Sequence, residues 1–338
     1  MPLQLTLFDE LCRFHYMKKN RLDDIARVIR RYFNPQTYRA GRKKGSLRHQ
    51  DLFGLSVEEV VTFFDEVVTN KKEGYEEAKM AATELQKLIV ELITYLSING
   101  NPGQNSLLKK FVQRLAQTDV IVTFNWDTIL DRAIESQRKF SWHRSWGYGK
   151  TVRENLESFS HDPPKIPNKY PRLLKLHGSI NWTSFHSNGE IKSKITNGWH
   201  PGDRVNNVLM MPPKMIKREV WDNNQTFAEG DDGANTINAT PSNFYSNLWA
   251  EAEGQLSHCR RLVFIGYSFP PADFAVSNMI RRAISEMKVS TGKFPTIDIV
   301  DPNVSELSQR FQRSFKISVN PENQYLSLSS YLHTQRAK

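Results

Sequence analysis

Asp119-Val120-Ile121-Val122-Thr123-Phe124 is a short β-branched run that ends directly in Asn125-Trp126-Asp127. A brief, continuously apolar run bounded by polar residues is the mark of a strand buried on both faces, as in parallel sheets. Three further runs share the form: Arg172-Leu-Leu-Lys-Leu176, Arg261-Leu-Val-Phe-Ile265 and Thr296-Ile-Asp-Ile-Val300. Helical patterns lie between some of them, at Thr128 to Glu135, Tyr245 to His258 and Phe274 to Met287. Strands alternating with helices predict an α/β fold built on a doubly wound, Rossmann-like parallel sheet.

Upstream, residues 14–117 read as a mostly helical insertion or cap. Ser56 followed three residues later by Glu59 fits a capping box, and Val57, Val60, Val61 and Phe64 recur at helical spacing. A second helix is expected from Tyr75 to Leu96 and a third from Ser106 to Gln117, separated by Asn99-Gly100-Asn101-Pro102-Gly103. Downstream, 183–240 is rich in Asn, Gly and Asp and carries no periodicity beyond Val208-Leu-Met-Met-Pro-Pro213. It reads as a long polar loop insertion, with Trp221 to Thr240 the part least expected to order. The sheet core then falls to 118–182 and 241–305 of one domain spanning 1–338.

Composition narrows the class. The chain has 338 residues, 46 Lys and Arg against 36 Asp and Glu, and a net charge of +10. No run approaches the roughly 18 apolar residues that cross a bilayer, and no basic stretch followed by an apolar one opens the chain. A cytoplasmic protein with no membrane segment is expected. Cys12 and Cys259 are too few for a disulfide framework or a four-thiolate zinc module, so no metal is expected. Excess positive charge suits nucleic acid, a membrane surface or an anionic small molecule. Arg39 to Arg48 is the densest basic run; it reads first as a solvated loop, with phosphate or nucleic-acid contact as the alternative.

Ligands of open parallel sheets sit beyond the carboxyl ends of the strands. Here those ends are Asn125-Trp126-Asp127, His177-Gly178-Ser179, Gly266-Tyr267-Ser268 and Asp301-Pro302-Asn303. A histidine there can take a hydroxyl proton near neutral pH, an asparagine can orient a water, and a carboxylate can hold an amide. Glycines at 178 and 266 let the backbone approach a bulky ligand, and Asp301 stands where dinucleotide folds bind a ribose diol. Each also has a structural reading: a satisfied histidine, a helix cap at Asn125 or Asp127, a turn at Asp301-Pro302.

Taken in order along the chain, these segments resemble the sirtuins, and more closely the sirtuin-like NAD hydrolases of prokaryotic anti-phage defence. Thr123-Phe-Asn-Trp-Asp127 is similar to the sirtuin Thr-Gln-Asn-Ile-Asp motif, and Lys175-Leu-His-Gly-Ser179 to the segment that carries the catalytic histidine. Gly266-Tyr-Ser268 resembles the Gly-Thr-Ser loop, and Ile299-Val-Asp301 the last strand. Pro212-Pro213-Lys214, Leu248-Trp249-Ala250 and Gly266-Tyr-Ser-Phe-Pro-Pro-Ala-Asp273 are similar to the defence branch in particular. The likeness spans Val57 to Asn303.

The resemblance implies NAD+ as substrate, not as a resident cofactor, and hydrolysis to nicotinamide and ADP-ribose. Asn125 and His177 would be catalytic, orienting the water or ribose hydroxyls and acting as general base. Trp126 and Asp127 would hold the nicotinamide amide, with Thr123 and Gly178 beside them. Gly266 and Ser268 would meet ribose and phosphates, and Asp301 the adenosine diol. An effector that depletes NAD+ in antiviral defence must be held off, which implies a homo-oligomer or a separate sensor protein. Sirtuin-like chains open with a strand and a Gly-Ala-Gly-x-Ser loop, absent here. Phe8-Asp9-Glu10-Leu11 resembles the segment immediately after that loop, so the first strand is expected upstream of Met1. Two alternatives remain open: a catalytically weak module binding NAD or ADP-ribose, and a nucleic-acid-associated protein using the basic N-terminal region.

Overall fold

A computed structural model of the chain describes residues 10–11, 25–26, 28–29, 56–99, 102–157, 165–187, 190–196, 208–211, 243–270 and 273–334. Contacts divide it into two compact units. One gathers Met1–Gly100, Asn125–Thr128 and His177–Pro241; the other gathers Asn101–Phe124, Ile129–Leu176 and Ser242–Lys338.

The second unit holds the parallel strands. After α3 (Pro102–Val112) come β1 (Val120–Thr123), α4 (Ile129–Glu135), α5 (Arg144–Gly147), α6 (Lys150–Asn155), β2 (Leu156–Glu157) and β3 (Arg172–Lys175). β1 and β3 pair in parallel, with Val120 opposite Arg172 and Thr123 opposite Lys175. The C-terminal half contributes α7 (Phe244–Leu256), β7 (Arg261–Ile265), α8 (Phe274–Thr291), β8 (Thr296–Val300), α9 (Val304–Phe315), β9 (Gln324–Tyr325) and α10 (Leu328–Thr334). β7, β8 and β9 form a second parallel sheet in that order, with Ile265 opposite Val300. A helix follows β7 and another follows β8, the crossover that a parallel neighbour requires. Among the described residues no ladder joins β1–β3 to β7–β9. Aromatic contacts beyond the strands link them instead. The Phe124 ring lies 5.2 Å from Tyr267 and 6.4 Å from Trp249, and Trp249 Nε1 donates to Leu176 O at 3.1 Å.

Helix α7 also reaches back to α6. Glu251 accepts from the backbone N–H groups of Lys150 and Thr151, both at 2.8 Å, and so satisfies donors that the first turn of α6 leaves open. Gly149 makes this approach possible. Its φ is +95°, and a Cβ there would stand 2.6 Å from Glu251 Oε1.

The first unit is built on α1 (Val57–Thr69) and α2 (Tyr75–Asn99), with β4 (Gly178–Ser187), β5 (Glu190–Ile195) and β6 (Val208–Met210) as an antiparallel sheet. Ser56 caps α1, its Oγ accepting from Glu59 N at 3.4 Å. The apolar stripes at Val57, Val60 and Phe64 and at Leu85, Leu88 and Leu92 bury into one cluster that also takes Ile180, Val208 and Met210 from the sheet.

The α/β class with parallel sheets stands. The long loop expected over 183–240 is corrected, because half of β4 and all of β5 and β6 lie inside it. Ser187 pairs with Glu190 across Asn188-Gly189, a dipeptide that favours two-residue hairpins. Buried positions here are filled by polar residues, Thr183 and Ser184 among them, so no apolar alternation marks the strand. The short helices over 144–155 carry no strong periodicity; Val304, Leu307 and Phe311 do recur at helical spacing in α9, a helix not among those expected from the sequence. The basic run Arg39 to Arg48, the segments Pro212 to Lys214 and Trp221 to Thr240, and Cys12 lie outside the described residues. No helix among the described residues is long and apolar enough to cross a membrane.

Candidate functional site

The ladder between β1 and β3 ends with Thr123 opposite Lys175, and Leu176 N then donates to Thr123 O at 3.0 Å. Asn125 and His177 each lie two residues beyond this register pair. Both belong to the first unit, where the two segments meet directly. Ile180 N donates to Trp126 O at 3.0 Å, and Ser179 Oγ lies 3.2 Å from the same oxygen and 2.6 Å from Asn181 Oδ1. His177 O accepts from Met211 N at 2.8 Å, tying the second segment to the end of β6.

Side chains of this cluster differ in access. Asn125 is exposed, while Trp126, Asp127 and His177 are 7%, 6% and 5% exposed. The Trp126 ring is part of the apolar cluster of the helical unit, so a root of packed side chains holds the loop that presents Asn125. Gly178 has φ +80°, a left-handed conformation that would strain any other residue between His177 and Ser179. An exposed amide can hold a polar substrate group at the surface, and an imidazole can accept a proton.

The remaining singled-out residues lie in the second unit. Gly266 N donates to Val300 O at 2.9 Å, which sets Gly266 beside Asp301 at the ends of neighbouring strands. Gly266 has φ +62° with open space around it, so the glycine answers to backbone conformation and not to crowding. Asp301 N donates to Tyr325 O at 2.9 Å, and its Oδ1 accepts from Asn303 N at 2.8 Å, realising the turn that Asp-Pro suggested. Ser268 is exposed, and its carbonyl accepts from Arg310 Nη1 at 2.7 Å. Between them, the Tyr267 hydroxyl donates to Asp273 Oδ2 at 3.1 Å; burial, with the Asp273 charge, drives its pKa far above the usual 10.0.

One group escapes a reading of the sequence. Lys175, Asp131 and Tyr148 are each 1% exposed or less, and Lys175 Nζ stands 3.3 Å from Asp131 Oδ2 while the Tyr148 hydroxyl donates to Asp131 Oδ1. Its signal is a lysine inside the apolar run Leu173-Leu174-Lys175-Leu176, because a buried ammonium requires a partner. An open groove of about 550 Å³ on α9, lined by Gln309, Gln312, Arg313 and Lys316, contains none of the singled-out residues. Among the described residues no cluster of three or more His, Cys, Asp or Glu could hold a metal.

No protein-family model matches the chain, and no curated protein sequence matches it.

Proposed function

We propose that the protein is an NAD+ glycohydrolase of the sirtuin-like type. The observation that carries this reading is the meeting of the Asn125 and His177 segments, which extend from register partners on adjacent parallel strands and share hydrogen bonds at Trp126 O. Further support comes from the ring contacts Phe124–Tyr267 and Phe124–Trp249, from which we read the two parallel sheets as parts of one doubly wound, Rossmann-like sheet in the order β3, β1, β7, β8.

In the proposed reaction the bond between ribose C1′ and the pyridinium nitrogen breaks, and its electron pair neutralises the departing nicotinamide. Water adds to the cationic sugar as His177 accepts its proton, and Asn125 orients that water, giving ADP-ribose, nicotinamide and one proton in all. The transition state is electron-poor at C1′, so fixed dipoles and an ordered nucleophile supply most of the acceleration. Gly266, Ser268 and Asp301 are assigned to the ribose and phosphate groups by the resemblance alone. The same resemblance underlies an effector role in anti-phage defence, controlled by self-association or by a sensor protein.

Nicotinamide release from NAD+ tests the reading. Wild-type protein is expected to turn NAD+ over, with kcat falling about 10²- to 10⁴-fold in His177→Ala and in Asn125→Ala. Absence of release from the wild type, or full activity in His177→Ala, overturns it. The depth of His177, at 5% exposure, favours one second reading, a module that binds ADP-ribose without turnover. Calorimetric binding of ADP-ribose without nicotinamide release identifies that case.

A further inference from the structure

The turn that leaves β7 holds a backbone conformation that its own sequence disfavours. Phe269 has φ +51°, in the left-handed region where a bulky side chain crowds the backbone, and Pro270 after it pushes its predecessor toward extended geometry. Four aromatic rings surround it. Phe269 is 5% exposed, and its ring lies 5.0 Å from Phe264 and from Tyr267, 5.6 Å from Phe311 and 5.9 Å from Phe315. Tyr267 and Phe269 thus share one cluster, while Ser268 between them is exposed. Strain of this kind persists only where surrounding contacts outweigh it, and here the ring contacts do so.

What the strain fixes is the direction of a peptide group. Ser268 O accepts from Arg310 Nη1 at 2.7 Å, and in a trans peptide the following N–H points opposite to its carbonyl, so Phe269 N–H is turned away from Arg310. Among the described residues no acceptor takes the N–H of Tyr267, Ser268 or Phe269. A return of φ at Phe269 to negative values would rotate the Ser268–Phe269 peptide and redirect its N–H. Resting on the hydrolase reading, which assigns Gly266 and Ser268 to ribose and phosphate groups, we infer that Phe269 is a positioning residue for NAD+: its ring, seated in the aromatic cluster, locks the turn so that these backbone donors and the Ser268 hydroxyl are set before the ligand arrives. The Phe269 side chain itself is not assigned to touch NAD+. A ligand that meets a turn already ordered does not lose affinity to ordering it, so the effect falls on binding and not on cleavage of the nicotinamide bond.

The experiment titrates the full 338-residue chain with ADP-ribose by calorimetry. Stoichiometry reports the folded fraction and Kd the state of the turn, so a purely structural loss lowers the first and leaves the second. Phe269→Ala removes the ring and keeps the left-handed penalty, and its Kd is expected to rise about tenfold or more. Phe269→Gly removes the same ring but accepts φ +51° freely, and its Kd is expected to stay within about threefold of the wild type. Phe311→Leu takes another ring from the same cluster without altering the turn, and its Kd is expected to be unchanged. In turnover, KM follows Kd while kcat moves less than about twofold. Phe269→Leu, which keeps an apolar side chain, serves if Phe269→Ala fails to fold, with a rise of about threefold. An unchanged Kd in the Phe269→Ala or Phe269→Leu protein, equal rises in Phe269→Ala and Phe269→Gly, or the same rise in Phe311→Leu assigns Phe269 to packing alone and overturns the inference, leaving the hydrolase reading intact. A wild type that binds no ADP-ribose overturns the inference as well. A wild type that binds ADP-ribose but releases no nicotinamide overturns the hydrolase reading, and the same Kd values then decide the role of the turn.

Discussion

His143 caps the first turn of α5, where its Nδ1 accepts from Ser145 N at 3.3 Å and its ring stacks 5.0 Å from Trp146. Accepting that bond requires a neutral ring. Burial lowers the pKa below the usual 6.5, with Arg144 adding to the effect and Glu135 opposing it. A group whose folded pKa is depressed gives its stability above the unfolded pKa and loses it as pH falls through the folded one. Thermal stability of the wild type is thus expected to fall as pH drops below 6.5, and His143→Asn, which keeps a capping acceptor, to flatten that dependence. An unaltered pH profile in His143→Asn counts against the capping account. At the same scale, the places of Asn125 and His177, each two residues past a parallel strand pair, are legible because the apolar runs before them mark the strands. The Lys175–Asp131 pair is not, because its partners stand 44 residues apart and only the fold brings them together.

Among elements, the capping box at Ser56 is readable from four letters and is realised as an N-cap on α1. Ser56→Ala is expected to cost about 1 kcal/mol, measured by denaturant unfolding, since one backbone donor of the first turn loses its acceptor. A change indistinguishable from zero would mean that water serves Glu59 N equally well. The parallel strands Val120–Thr123, Arg172–Lys175, Arg261–Ile265 and Thr296–Val300 are legible to within a residue at either end, as short apolar runs bounded by polar residues. Antiparallel β4 to β6 are not. Thr183, Ser184 and Ser193 are buried hydroxyl residues, so composition there suggests a loop while pairing makes a sheet.

At the scale of the whole molecule, the chain passes between its two units after Gly100, Phe124, Thr128, Leu176 and Pro241. Neither unit is a continuous stretch, and no sequence periodicity announces that division, since it is defined by contacts between distant segments. Fragments 1–176 and 177–338 each carry part of both units. Neither is expected to show a cooperative thermal transition alone, because the cut separates Leu88 and Leu92 from Ile180, Val208 and Met210, which share one apolar cluster. A sharp melt from either fragment would contradict the interleaving.

That interleaving bears on biosynthesis. A ribosome delivers α2 long before it delivers β6, and at about 5–20 residues per second the wait between Leu92 and Met210 lasts on the order of ten seconds. During that interval the greasy side of α1 and α2 has no partner strands to lie against, and the nascent polypeptide must carry it unsheltered or borrow a chaperone's cover. A pause in translation between these points would lengthen that exposure, whereas one placed after Pro241 would fall once every segment of the helical unit has been made.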